Sequence, residues 1–292
     1  FDILEKYNIQ YFLYNGGNDS MDTIKMLSDY AAAHGKTQKF MGIPKTIDND
    51  LPMTDHCPGY GSAAKYIATS LKEIIVDNDC YGPYRTSVVI VEIMGRHAGW
   101  LTAASVLANN SPDLIYLPEV DFNPEDFIKR IKKISEKKSS IVVAVSEGVK
   151  LADGRFVCEL SGGSDKLDAF GHKQLSGVGA YLASLVTEKT GIKARSIEFS
   201  TMQRCASHVV SRTDAEEAFN VGYIAAQKAF QGHTGEMIII SVDSRKPYLV
   251  SYDSVDIHGV ANVEKKVPLD WIINDGTFVS DEYIAYARQL IM

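Results

Sequence analysis

Residues 11–50 read YFLYNGGNDSMDTIKMLSDYAAAHGKTQKFMGIPKTIDND: a short β-rich run, a turn with two glycines, a helical pattern and a second apolar run. Tyr11–Tyr14 and Lys39–Ile43 have the composition of strands. Met21–Ala33 carries helical periodicity and is closed by Gly35, a residue suited to a helix C-terminus. The same alternation recurs downstream. Strand-like runs at Ser87–Ile93, Leu114–Leu117, Ile141–Ser146, Ser196–Phe199 and Met237–Val242 are interleaved with helical patterns at Ser62–Ile75, Pro124–Lys137, Leu175–Thr190 and Asp214–Gln231. An α/β chain is predicted, with parallel strands joined by crossover helices. The residues from Phe1 read as a helix leading into a strand, from which further sequence upstream is expected. Leu151–Gly177, rich in Gly, Ser and Asp, is expected to form a loop excursion.

The 292 residues, 45% hydrophobic and 23% charged, suffice for one large or two ordinary domains. A formal net charge of −7 argues against a surface that gathers nucleic acid or anionic lipid by bulk electrostatics. Any anion must then be held locally. Cys57, Cys80, Cys158 and Cys205 are widely spaced with no CxxC pair, which suggests neither a zinc knuckle nor a disulfide framework and fits a reducing compartment. No apolar run approaches the roughly 18 residues of a membrane span. A soluble, cytoplasmic protein with no nucleic-acid or membrane partner is expected.

In open α/β sheets ligands sit beyond the carboxyl ends of strands, so the loops after the apolar runs should carry the chemistry. The first is Asn15-Gly16-Gly17-Asn18-Asp19-Ser20. Its glycines permit close backbone approach, Ser20 is a candidate N-cap, and the helix start favours a phosphate. Alone it is also an ordinary strand-to-helix turn. The second, Pro44-Lys45-Thr46-Ile47-Asp48-Asn49-Asp50, gathers a cation, a hydroxyl and two carboxylates. Those groups suit phosphoryl transfer: a base for an attacking hydroxyl, a carboxylate for Mg²⁺, and donors for phosphoryl oxygens. A solvated charged turn is the alternative. The third, Met94-Gly95-Arg96-His97, with Arg85 ahead of its strand, offers guanidinium groups for phosphate and a glycine that leaves room for a ligand. Glu147, in Ser146-Glu147-Gly148, can accept from sugar hydroxyls. Arg195 and the run Ser200-Thr201-Met202-Gln203-Arg204 supply two more guanidinium groups.

In this order, Gly-Gly-Asn-Asp-Ser, Pro-Lys-Thr-Ile-Asp-Asn-Asp, Met-Gly-Arg, Ser-Glu-Gly and Gln-Arg resemble the phosphofructokinase family from about Tyr11 to Arg204. The resemblance implies two Rossmann-like three-layer domains. Residues 1–58 and 205–265 would form a phosphoryl-donor domain, and residues 59–204 and 266–292 a sugar-phosphate domain. The family's first strand and glycine-rich phosphate loop have no counterpart here. The implied reaction is phosphorylation of the 1-hydroxyl of fructose 6-phosphate with Mg²⁺. Asp48 falls on the catalytic base, Asp50 beside it on the group that orients reactants and metal, and Thr46 where the transferred phosphoryl group is held. Met94, Gly95 and Arg96 fall on sugar-phosphate and transition-state contacts, Glu147 on the sugar ring, and Thr201 and Arg204 near the 6-phosphate. Arg85 and Arg195 fall on positions that reach a neighbouring subunit's site, which implies a homodimer or homotetramer.

Gly17, Asn18, Asp19 and Ser20 would face the donor, with Asn18 where the family usually places a metal-binding Asp. ATP-using members have glycine where Asp19 and Lys45 stand. Asp19 should repel a nucleotide's α-phosphate region and Lys45 can hold the leaving phosphate of pyrophosphate, so both resemble the pyrophosphate-using branch. An ATP-dependent enzyme and a non-catalytic regulatory subunit are the rival readings. A nicotinamide-dependent dehydrogenase lacks its GxGxxG.

Overall fold

The computed structural model describes residues 1–109, 111–161, 175 and 177–292. The first elements are α1 (Asp2–Lys6), β1 (Tyr11–Gly16), α2 (Asn18–Ala33), β2 (Lys39–Pro44), α3 (Tyr60–Asp79) and β3 (Ser87–Ile93). There follow α4 (Trp100–Ala103), β4 (Leu114–Tyr116), α5 (Pro124–Ser135), β5 (Ser140–Ser146), α6 (Val178–Thr190) and β6 (Lys193–Glu198). The last are α7 (Met202–Cys205), α8 (Arg212–Phe230), β7 (Glu236–Arg245), β8 (Tyr248–Asp256), β9 (Ile272–Ile273), β10 (Phe278–Val279) and α9 (Asp281–Arg288).

The chain divides into two units. The first holds Phe1–Ser62, Val210–Lys265 and Gln289–Met292, and the second Ala63–Val209 and Lys266–Arg288. The last four residues therefore group with the first unit.

The first unit is built on a sheet of order β1-β2-β7-β8. Side chains alternate across a strand, and neighbours here go to opposite cores. Phe40 and Met237 pack with Met21 and Ile24 of α2, whereas Met41, Ile238 and Ile240 pack with Val221, Ala225 and Ala229 of α8. Both sheet faces are thus covered, as a parallel sheet requires. One strand departs from the expected parallel arrangement: β8 pairs antiparallel with β7, with a bulge between Val242 and Ser244. The link between them is too short for a crossover, so the chain turns back as a hairpin.

The second unit has a fully parallel sheet of order β4-β5-β3-β6. Every residue of β3 and β5 is buried, which explains their unbroken Val/Ile composition. Val88, Ile90, Ile141 and Val143 pack against Phe127 and Ile131 of α5 and Leu182 and Val186 of α6. Helix α5 starts where Asn123 accepts from the N–H groups of Glu125 and Asp126, with Pro124 at its first position. Asn78, fully buried near the end of α3, bonds Ser87 of β3 and Ser140 of β5.

Strand β6 spans Lys193–Glu198, earlier in the chain than the expected Ser196–Phe199. Of the expected loop Leu151–Gly177, residues 162–174 and 176 lie outside the described residues. Among the described residues, no helix is long and apolar enough to cross a membrane.

Candidate active site

In the first unit, β1 delivers its turn directly into α2. Gly17, not Ser20, is the N-cap, and no side chain caps the helix. Ser20 instead lies in the first turn, its Oγ where a Cβ on Gly16 would fall, 2.0 Å from that position. Gly16 is therefore required for the turn to close. A Cβ on Gly17 would lie 3.7 Å from Cβ of Thr46, so this turn runs alongside the loop after β2. The backbone confirms that contact, since Lys45 N–H donates to Gly16 O at 3.1 Å. Asp19 and Lys45 both carry exposed side chains.

The loop Thr46–Gly59 closes on itself. Thr46 bridges to Gly59, its N–H donates to Pro58 O at 3.2 Å, and its Oγ1 accepts from Asp48 N–H at 3.1 Å. Asn49, fully buried at φ +55°, accepts Cys57 N–H at 2.9 Å. That bond fixes the residue between the two acids. Asp50 sits deep enough that burial, with Asp48's charge added, pushes its carboxyl up to about 6.

Two buried oxygens here, Asn18 Oδ1 and Asp50 Oδ1, have no hydrogen-bond partner. Unsatisfied buried acceptors of this kind are rare without a ligand to meet them. Hard oxygen donors fit a cation such as Mg²⁺. Among the described residues no three His, Cys, Asp or Glu side chains form a metal cluster, so such a cation would draw further ligands from its substrate. Asn18 also fits as an amide, because its Nδ2 donates to Val263 O at 3.1 Å, where a carboxylate would face a carbonyl.

Sequence reasoning missed the segment Val263–Lys265, which touches both loops. Besides the Asn18 bond, Lys265 N–H donates to Asp50 O at 2.6 Å, and its Nζ donates to Thr54 O and Asp55 O at 3.1 and 2.9 Å. Burial lowers the pKa of this lysine. A lysine in the run Glu264-Lys265-Lys266 carries no local sign of burial.

In the second unit, the residues after β3 form a tight knot. Met94 N–H donates to Gln203 Oε1 at 3.1 Å, and Gly95 N–H to Glu147 Oε1 at 3.4 Å. Gly95 O accepts Ser146 Oγ at 2.5 Å and Gly148 N–H at 3.2 Å. Gly95 has φ +148°, and a Cβ there would meet Ala98 O and Ser146 Oγ at 2.7 Å. Met94, Gly95, Arg96 and Glu147 are thus brought together. Gln203, almost fully buried, also donates to Ser200 O at 3.1 Å, which joins the turn bearing the exposed Thr201 and Arg204 to the same knot. In the sequence Gln203 stands only as the first half of the Gln-Arg motif. Glu92, within β3, accepts from Gly177 and Gly179 N–H groups at 3.0 and 2.8 Å at the start of α6, and burial raises its pKa.

Arg85 and Arg195 are not brought to this knot. Both guanidinium groups lie over the Tyr81 ring, at 5.5 and 5.4 Å, and Arg195 pairs with Asp77. Arg85 precedes β3 and Met94 follows it, so the seven-residue strand separates them by roughly 20 Å.

The family model described as Phosphofructokinase matches residues 1–229. The chain is 41% identical over 294 residues to the pyrophosphate--fructose 6-phosphate 1-phosphotransferase of Xanthomonas campestris, covering 99% of this chain and 70% of that protein. It superposes on the crystal structures of pyrophosphate-dependent phosphofructokinases from Nitrosospira multiformis, with a TM-score of 0.88, and Marinobacter aquaeolei, with 0.87. Each of these is 37% identical and is matched over 99% of this chain and 69% of the other.

Proposed function

This chain belongs to the phosphofructokinase family, and from that premise we propose how its residues phosphorylate fructose 6-phosphate with pyrophosphate. The observation that carries the reading is the closed loop holding Thr46, Asp48 and Asp50 beside the Gly17–Ser20 turn, with Asn18 Oδ1 and Asp50 Oδ1 left without protein partners.

Asp48 takes the proton of the sugar's 1-hydroxyl as its oxygen attacks pyrophosphate. The new O–P bond forms, the bridging P–O bond breaks, and phosphate leaves. Thr46 steadies the transferred group, and Lys45 compensates charge on the leaving phosphate. Gly17, Asn18, Asp19 and Ser20 face the donor, whose size is limited by the Asp19 carboxylate. Phosphofructokinases use Mg²⁺, and Asn18, Asp48 and Asp50 would hold it here, where it neutralises charge on the donor. Met94, Gly95, Arg96, Glu147, Thr201 and Arg204 bind the sugar phosphate. The reaction runs in either direction and serves glycolysis or gluconeogenesis.

Arg85 and Arg195 act in the site of a second copy, which makes the working form a homo-oligomer. Their guanidinium groups share the ring of Tyr81, which precedes β3, whereas Met94 follows it, and this supports the assignment. The test is Asp48→Ala, which should abolish turnover and leave sugar-phosphate binding by calorimetry intact, since a base acts mainly in the transition state. Retained turnover overturns the assignment.

A further inference from the structure

Beyond Asp50, the same loop enters a buried ionic cluster that the reaction does not use. His56 is 1% exposed and held at both ring nitrogens: Nδ1 lies 2.9 Å from Asp55 Oδ1, and Nε2 lies 2.6 Å from Glu217 Oε2 on α8. A neutral imidazole donates from one nitrogen only, so two facing carboxylates select the ring with both nitrogens protonated. Burial opposes that charge, and the bonds from Asp55 and Glu217 outweigh it to raise the pKa of His56. The cluster extends outward. Glu217 Oε1 accepts Tyr248 Oη at 2.7 Å from β8, and Asp55 Oδ2 accepts Arg245 Nη2 at 2.8 Å at the end of β7.

The backbone around His56 is tied down as well. Asp55 N–H donates to Ile240 O at 2.9 Å, Ile240 N–H donates to Thr54 Oγ1 at 3.0 Å, and Lys265 Nζ meets the carbonyls of Thr54 and Asp55. The next two residues lead straight to the reacting groups. Cys57 N–H holds Asn49, between Asp48 and Asp50, and Pro58 O holds Thr46.

We propose that His56 is a positioning residue for phosphoryl transfer: gripped by Asp55 and Glu217, it fixes Cys57 and Pro58, and through them the orientation of Thr46, Asp48 and Asp50. The inference rests on the roles given above to those three residues. It differs from a purely stabilising cluster in one respect. Loosening the grip should impair the chemical step more than sugar binding, because the assigned sugar ligands are carried by the other unit.

The experiment compares the whole protein with His56→Gln, Glu217→Gln and Tyr248→Phe, each assayed well below its melting temperature with pyrophosphate, fructose 6-phosphate and Mg²⁺. His56→Gln should lower kcat by about tenfold or more, with KM for fructose 6-phosphate within about threefold of wild type. Glu217→Gln should fall between, and Tyr248→Phe should change melting temperature alone. Amide hydrogen exchange over residues 46–58 should rise in His56→Gln. Unchanged kcat with a lowered melting temperature makes the cluster merely structural and overturns the proposal, as does a KM effect without a kcat effect. If His56→Gln does not fold, Glu217→Gln decides on the same readouts. A wild type without turnover would refute the assigned reaction, and exchange over 46–58 would still judge the positioning claim: no difference between wild type and variant sinks it.

Discussion

Asp50→Asn should make the metal-free protein more stable at neutral pH while removing its activity. The Asp50 carboxyl is pushed from 3.8 up to about 6, by burial first and then by the charge of Asp48. A raised acid pKa means that the folded state holds the proton more tightly than the unfolded state, so ionisation works against folding. The penalty is absent well below pH 3.8, grows as pH rises, and is complete above pH 6. A shift of roughly 2 pKa units corresponds to about 3 kcal/mol, of which about half is already present at pH 5. An uncharged isostere escapes it. Urea unfolding in a chelator, at pH 5 and pH 8, should therefore show Asp50→Asn more stable than wild type at both, with the advantage growing by about 1 kcal/mol between them. Turnover should be lost, in the pattern of a functional group held against stability. A variant less stable at pH 8, or an advantage independent of pH, would refute the reasoning.

Gly148→Ala should cripple the sugar-phosphate half-site. Its Cβ would fall 1.9 Å from Arg96 O, against 3.4 Å for the near edge of ordinary contact, so the Arg96 backbone must move by roughly 1.5 Å, and a displacement on this scale lowers rates by about a hundredfold. Steady-state assays should show kcat/KM for fructose 6-phosphate falling by about that factor, and an unaltered value would contradict the assigned role of Arg96. Asp19→Gly combined with Lys45→Gly should shift donor preference toward ATP, read as the ratio of kcat/KM values for the two donors. No gain with ATP would place donor choice elsewhere.

Much of the fold was legible because periodicity is local. Strand β3 and helix α2 announce themselves by composition and spacing. Strand β8 does not, since its alternating pattern leaves it half exposed and without a continuous apolar run. The site followed the same division. The acids, Thr46 and the Met94–Arg96 run lie in loops after strands, where chemistry is expected. Gln203, His56 and Lys265 are each tied to a residue distant in sequence, Met94, Glu217 and Asp50 respectively, and a single buried polar residue leaves no local pattern. Ser20 is ambiguous in sequence for a related reason. Both it and Gly17 suit a helix start, and only the packing of Ser20 Oγ against Gly16 decides between them. Asn18 gained a rationale that sequence lacked, through its bond to Val263.

The most direct test is formation of fructose 1,6-bisphosphate by the protein given fructose 6-phosphate and Mg²⁺ with either pyrophosphate or ATP. Turnover with pyrophosphate and not with ATP is the predicted result. Turnover with ATP alone would contradict the roles of Asp19 and Lys45, and no turnover with either donor would contradict the phosphotransferase itself.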